Sequence, residues 1–387
     1  MALLLEADDC REYTAPLHSA SVPSQSYVLS IATLSNHYVV SASAPINTIE
    51  VFDKTSLHPV QSLPGHDVAI TSLKAVSSLV GLSGECIVSS GQDCAVKIWD
   101  GRSTSHCIKL TDTGGTRPIL CCDVSPDGSM IAAGSSLKNE DAVIYYWDPR
   151  QPTTPLRTHS STHSDDVTGL HFSASGRALL SGSSDGLVSI SSAFENDEDE
   201  AVEFVANWGC SVSQLGWAPA SPGANASNVW AASDMETFSL WSSELDPIYN
   251  IDIRRPVLHG HSRTWVTDYL IGCQPVPSAL DSRLGVFVGT NDGDIALLDN
   301  VAMMDSEFQW QIKRLWTTCH SGIVRSVLWD EKNQVLLSGG EDSKINIWSI
   351  KNSNSPDPTE TDTPVSPRRK HDMDWEYDEQ QGKKARR

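Results

Sequence analysis

Short runs of alternating apolar and polar residues, closed by Gly, Asp, Asn or Ser, recur along residues 27–349. The pattern is cleanest from Val167. An alternating run spans Val167–Phe172, a polar turn covers 173–177, and a second run covers 178–181. The tight turn Ser184-Asp185-Gly186 then leads into a third run over 187–191. Alternation with a period of two marks strands that present one face to a core. The Asp-Gly pair supplies the positive φ that a short hairpin turn needs. The plan returns over 323–329, 335–338 and 344–348, with Glu341-Asp342-Ser343 at the turn.

The third run of each unit ends at a corresponding place. Phe52-Asp53, Trp99-Asp100 and Trp147-Asp148 are clear examples. Phe194, Trp241-Ser242 and Leu298-Asp299 are degenerate ones, and Trp348-Ser349 restores the pattern. That makes seven units about 46–58 residues apart, close to the ~40–45-residue period of WD repeats once loops lengthen some of them. The expected fold is all-β: a seven-bladed WD40 β-propeller over residues 27–350. In a ring of this kind each small sheet packs only on its neighbours, so 387 residues need not split into two cores. Residues 1–26 form an N-terminal segment expected to supply the outer strand that closes the ring, with Leu3–Tyr13 as that strand. Residues 351–387 are an expected disordered tail.

A polar set recurs at fixed offsets inside the units. It reads His66, Ser89, Asp93 and Trp99 in the second unit and His320, Ser338, Asp342 and Trp348 in the seventh. The fourth keeps His163, Ser181 and Asp185 but has Ser191 where Trp is expected, and the third keeps Asp141 and Trp147 but has Gly115 at the His position. Such a set predicts a hydrogen-bonded chain inside a blade, because a buried indole N–H and a buried hydroxyl must find partners. Recurrence in step with the blades points to structure rather than to catalysis or a metal. The fifth unit, with Trp208 near its His position, and the sixth, with Leu298 in place of Trp, are expected to rely on apolar packing.

The chain further resembles the WD repeat-containing protein 89 family. The resemblance is carried by residues 162–168 (Thr-His-Ser-Asp-Asp-Val-Thr), residues 181–188 (Ser-Gly-Ser-Ser-Asp-Gly-Leu-Val) and the acidic run 195–200. Asp268-Tyr269-Leu270-Ile271-Gly272 and Ser338-Gly339-Gly340-Glu341-Asp342 carry it as well. It covers about residues 27–350. What it implies is a propeller that binds proteins in the nucleus or cytoplasm, with no reaction and no named partner.

Charge narrows the partners. The net charge is −21, and the tail balances eight basic against eight acidic residues, so the whole excess lies on residues 1–350. Such a body repels phosphate backbones and favours basic protein surfaces or peptides over nucleic acid. The run Glu195-Asn196-Asp197-Glu198-Asp199-Glu200 reads either as a solvated connection or as a dock for a basic peptide. Candidate partner-binding residues lie near the loops at one end of the blades: Arg117, Asp165, Asp166, Trp208, Arg263, Trp265 and Arg325. Exposed Trp and Arg are enriched at binding hot spots, though Trp208 and Trp265 fit burial between blades equally well.

In the tail, Arg368-Arg369-Lys370 and Lys383-Lys384-Ala385-Arg386-Arg387 have the spacing of a bipartite nuclear localisation signal read by importin. A nucleic-acid arm or a plain solvated tail are the other readings. Ser366-Pro367 beside the first cluster is a candidate proline-directed phosphorylation site. Nine cysteines at irregular spacing, with no Cys-x-x-Cys pair, suggest reduced buried thiols. No apolar run reaches the ~20 residues of a membrane helix, and Met1–Leu5 lacks the features of a signal peptide. Phosphate-binding glycine loops are missing, and His159 with His163 lacks a third ligand nearby. No cofactor or metal is expected. The function expected is a non-catalytic protein-interaction scaffold in the nucleus or cytoplasm. A reader of basic or modified peptides such as histone tails is the alternative, and an enzyme using a propeller face the remote one.

Overall fold

The computed structural model describes residues 3–101, 105–112, 114–219, 227–259, 264–277, 282–302, 308–318 and 320–350. Arg263, Ser366 and both basic clusters of the tail lie outside the described residues.

Seven antiparallel sheets follow one another along the chain. Blade one comprises Val28–Thr33, His37–Ala42, Ile49–Asp53 and Pro59–Leu63, and blade two Ile70–Val76, Cys86–Gly91, Ala95–Asp100 and His106–Leu110. Blade three comprises Ile119–Val124, Ile131–Ser135, Ile144–Trp147 and Arg157–His159. Blade four comprises Val167–Phe172, Ala178–Ser183, Leu187–Ser192 and Val202–Asn207. Val212–Ala218, Asn228–Ser233, Thr237–Trp241 and Pro247–Asp252 form blade five. Tyr269–Pro277, Ser282–Gly289, Ile295–Ala302 and Phe308–Trp316 belong to blade six. Val324–Asp330, Val335–Gly340 and Lys344–Ser349 belong to blade seven. A one-turn helix, Glu198–Ala201, and a two-stranded ribbon, Leu258–His259 with Thr264–Trp265, stand outside the blades. No helix among the described residues is long and apolar enough to cross a membrane.

The alternation seen in the sequence becomes burial here. Second and third strands are nearly all buried, whereas outer strands are mostly exposed. Side chains of adjacent blades fill the wedge between them. Blade three's Ile131, Ala133 and Tyr145 pack with blade two's Val88, Val96 and Ile98, for example. Gly339 has Val28 of the first blade against it so closely that a Cβ would lie 2.2 Å from Val28 Cγ1.

Within the N-terminal segment, the placement of the closing strand on Leu3–Tyr13 departs from expectation. Leu3–Tyr13 does not close the ring. It runs parallel to Phe308–Trp316 and adds a fifth strand to blade six, with Leu4 buried beside Trp310 and Ile312 and Tyr13 stacked 5.6 Å from Trp316. The closing outer strand of blade seven is His18–Ser21, antiparallel to Lys344–Ser349. The reason is packing: Leu4 enters the apolar core of blade six, while His18–Ser21 pairs through its backbone and packs Ala20 beside Leu337 and Ile345. Thiol burial also differs from expectation, since Cys86, Cys121 and Cys122 are buried but Cys107 is exposed.

Candidate functional site

In blade two, Trp99 Nε1 donates to Ser89 Oγ at 2.8 Å, Ser89 Oγ lies 2.8 Å from His66 Nε2, and His66 Nδ1 lies 2.6 Å from Asp93 Oδ1. An indole can only donate and a carboxylate only accept. With a neutral imidazole the protons therefore run one way, from Trp through Ser and His to Asp. Blade seven repeats the chain with Trp348–Ser338 at 3.1 Å, Ser338–His320 at 2.9 Å and His320–Asp342 at 2.9 Å. In blade four His163 reaches Ser181 at 2.8 Å, but its Nδ1 stands 3.5 Å from Asp185 Oδ2, an ion-pair distance rather than a formed hydrogen bond. The aspartates also fix the turn before the first strand by accepting from a backbone N–H: Asp67 on Asp93, Ser164 on Asp185 and Ser321 on Asp342. Blade two adds Lys97, almost fully buried, whose ammonium is 3.0 Å from Asp93 Oδ2 and donates to Gly65 O at 3.1 Å.

These sets lie in three separate blades, each enclosed by its own sheet and the next. The other blades show what replaces them. Cross-strand register puts Ala133 where the bonded serine would stand in blade three, and the buried Trp147 Nε1 meets no partner among the described residues. Asp141 is exposed and sits in a turn bridged to Lys138, apart from any such chain. Blade five substitutes aromatic contact for the polar chain, with Trp208 edge-on to Trp241 at 5.4 Å and Ala231 at the serine position. Blade six has Leu298 facing Val286 and Val288 at the serine position.

Burial pushes the Asp342 and Asp185 carboxyls up, yet the His320 contact for Asp342, and nearby His163 with the backbone N–H groups of Leu187 and Ser164 for Asp185, outweigh it, and both fall to about 2. Asp93 is held lower still against the same burial by His66 and Lys97. A carboxylate depressed in the folded state stabilises it fully above the unfolded value near 3.8 and loses that stabilisation as pH falls through the folded value. The propeller is thus expected to lose stability steeply between about pH 4 and pH 2. Asp342→Asn should flatten that limb by about 2 kcal/mol, read from urea midpoints at stepped pH. An acid limb of unchanged slope would remove this aspartate from the account.

The first strands line a central channel holding a cavity of about 600 Å3. Lys74 and His171 line it, and Asp123 joins them in a trio. Lys74 Nζ lies 3.5 Å from both Asp123 Oδ1 and His171 Nδ1, and Asp123 Oδ2 also accepts from Phe172 N at 2.8 Å. Enclosure by the channel wall, then the Lys74 charge, lower His171 to about 4 against the pull of Asp123. Its imidazole is neutral at pH 7, and the Lys–Asp pair cancels its own charge.

Other polar side chains around the channel tie one blade to the next. Thr71 donates to Ile119 O at 2.8 Å, Thr168 to Val212 O at 2.6 Å, Gln214 to Ile271 O at 3.2 Å and Gln274 to Val327 O at 2.6 Å. Sequence reasoning missed these ties, because nothing in the pattern tells which polar residue of a first strand faces its neighbour.

The candidate partner-binding residues do not form one patch. Asp166 accepts from Leu137 N of blade three at 2.6 Å, and Asp165 accepts from Asp166 N at 2.7 Å. Arg117, half-buried, donates to Lys138 O at 2.9 Å. Trp265 is buried, its Nε1 donating to Thr267 Oγ1 at 3.0 Å, and Trp208 is half-buried against Trp241. Arg325 is exposed at the channel mouth and donates to Glu341 Oε1 at 2.8 Å. What the sequence did not single out is a set of exposed apolar side chains on the same end: Tyr27, Ile46, Val68, Leu137, Met235 and Val266, each at least 42% exposed. All six lie in loops that precede a first strand or join a second to a third, so they crown one face of the ring.

Comparison with known proteins agrees with this geometry. The family model "WD domain, G-beta repeat" matches residues 57–100, 106–148, 153–190 and 312–349. The chain is a seven-bladed β-propeller with WD repeats in those four stretches. Among its relatives, it is similar to the WD repeat-containing protein 89 homolog of Dictyostelium discoideum, 24% identical over 84% of this chain and 82% of that protein. It is also 28% identical to an uncharacterized WD repeat-containing protein of Saccharomyces cerevisiae, over 78% of this chain and 74% of the relative. Of solved structures, a chain of the "Crystal Structure of Mitotic Checkpoint Complex" superposes with a TM-score of 0.65 at 14% identity, covering 90% of this chain and 95% of that one, which establishes likeness of fold alone.

Proposed function

We propose that the protein is a non-catalytic scaffold that holds other proteins together in a nuclear or nucleocytoplasmic assembly. The observation that carries the reading is the crown of six exposed apolar residues on one end of the ring. Exposed apolar residues occur elsewhere on the ring as well, but six gathered on one face suit a protein-binding surface. The His–Asp sets do not compete for a catalytic role, because each is consumed inside its own blade. The channel trio is self-neutralised. The chain's net charge of −21 favours basic partners, and a reader of basic or modified peptides is the narrower form of the same reading.

Two basic clusters in residues 351–387 act as the nuclear localisation signal in this proposal, with importin as the receptor, and phosphate on Ser366 weakens that contact. Affinity purification with mass spectrometry, comparing the intact chain with residues 1–350, tests both parts. The intact chain is expected to retain a defined set of partners, the truncated chain to keep them in extracts but stay cytoplasmic, and Ser366→Glu to slow nuclear entry. A chain that retains no partner above background sinks the scaffold; normal nuclear entry without the tail sinks the signal.

A further inference from the structure

An outer strand in a propeller is a sheet edge, with unpaired backbone groups open to any strand that passes, and stable proteins blunt such edges. This ring does so by several devices. Blade one's outer strand begins with Pro59 and blade five's with Pro247, and neither proline can donate. Blade two's carries the exposed Lys109. Blade three's is three residues long and blade seven's four. Blade six's edge is Leu3–Tyr13 itself, whose pairing is interrupted by a register shift between Glu6 and Arg11.

Blade four is different. Val202–Asn207 has six residues, no proline and no lysine, and no strand pairs with its outer side among the described residues. Phe204 and Val205 stand 36% and 52% exposed on it, and Phe194, just beyond the third strand, is 61% exposed. Apart from a register shift at Glu203, its guard is negative charge. Glu195, Asp197, Asp199 and Glu200 precede it and Glu203 lies within it. Glu198 is the exception in that run, because its carboxylate is consumed by the N–H groups of Ser160, Ser161 and Thr162 at 2.7–2.8 Å. From residue 178 to residue 253 the chain has twelve acidic residues and not one lysine or arginine. A guard of one sign repels a second copy of itself but attracts a strand of opposite sign.

We infer that the outer edge of blade four is a strand-addition site for an extended, basic segment of a partner protein with alternating apolar residues. Backbone pairing along Val202–Asn207 supplies register, Phe204 and Val205 receive the apolar side chains from the two faces, and the five carboxylates around the edge meet the basic ones. The inference rests on the scaffold reading and names one of its docking surfaces, separate from the apolar crown.

The probe is a fluorescein-labelled Lys-Val-Arg-Val-Lys-Val-Arg peptide titrated into the full chain, with Glu replacing every Lys and Arg in the control. The basic peptide is expected to bind, with affinity falling as salt rises, and the acidic one to fail. Val205→Lys places in this edge the guard that blade two already has and should weaken binding about tenfold or more. Val60→Lys, on blade one's outer strand, should change nothing. Hydrogen exchange serves even if Val205→Lys folds poorly: the peptide should protect amides of residues 202–207 in the unaltered chain. Equal binding of both peptides, indifference to Val205→Lys with the fold intact, or unchanged exchange at 202–207 overturns the inference. If partners are still captured by the intact chain in that event, the scaffold survives; if none is captured either, both readings fall.

Discussion

Removing residues 1–23 is expected to split or broaden the unfolding transition, whereas removing residues 1–14 should lower its midpoint and leave it single. Both truncations strip Leu3–Tyr13 from blade six, with the burial of Leu4 and the stacking of Tyr13 on Trp316. Only the longer one removes His18–Ser21, the strand that makes blade seven complete from both ends of the chain. It also removes the Leu17 N to Ile347 O bond at 2.7 Å, the Val22 N to Ser343 O bond at 2.8 Å and the buried Val22 side chain. Each backbone bond is worth about 1 kcal/mol net and a buried valine roughly 1.5–3 kcal/mol. Their sum is a large part of the ~5–15 kcal/mol that holds a folded domain together. The loss falls on one seam, so blades one and seven should come apart before the rest, as in other repeat arrays. Calorimetry of the two truncations decides it, and identical single transitions would show that closure does not depend on this strand.

Ring number and the bonded chains of blades two and seven could be read from spacing, because Trp, Ser, His and Asp are chemically distinctive and their offsets are set by strand length. Blade five's replacement by Trp208 against Trp241 was half legible: Trp208 stood near the right place, but its partner is fixed by a cross-strand register that no linear pattern states. Asp141 had the look of a turn aspartate, yet the longer turn of blade three carries it into solvent. His18–Ser21 left almost no trace, since four small or polar residues with one alanine packed inward have no hydrophobic period. The candidate binding residues were misjudged as a group for a related reason. Arg117, Asp166 and Glu198 are polar residues in loops, and a sequence cannot tell a side chain that meets a partner from one that caps a neighbouring loop.

Replacing Asp330 is expected to destabilise the ring more than any single surface change, because this carboxylate joins the last blade to the first. It is buried at the end of Val324–Asp330 and receives Tyr38 Oη–H at 3.0 Å and Lys54 Nζ at 3.1 Å from blade one, and Asn333 Nδ2 at 2.7 Å from its own turn. Burial raises its proton affinity, but the donors from Asn333 and Lys54 bring it below the ordinary carboxylate range. Tyr38 is pushed well above its usual value, by burial first and then by the charge of Asp330. Asp330→Ala leaves an ammonium, a phenol and an amide without their acceptor, and breaking one side of a buried pair costs about 3–5 kcal/mol. Lys54→Met should cost less, since Asp330 keeps Tyr38 and Asn333. Asp148→Ala, which breaks a pair with the largely exposed Arg150, should cost far less than Asp330→Ala. Asp330 and His18–Ser21 brace the same seam from different sides. Once the strand is gone and the seam is open, Asp330→Ala should cost far less than it does in the intact chain. Urea titrations of the two changes, alone and together, measure that coupling. A full additive cost in the truncated chain would mean that the carboxylate and the strand hold the ring independently, and a cost below 1 kcal/mol in the intact chain would mean that the clasp holds nothing.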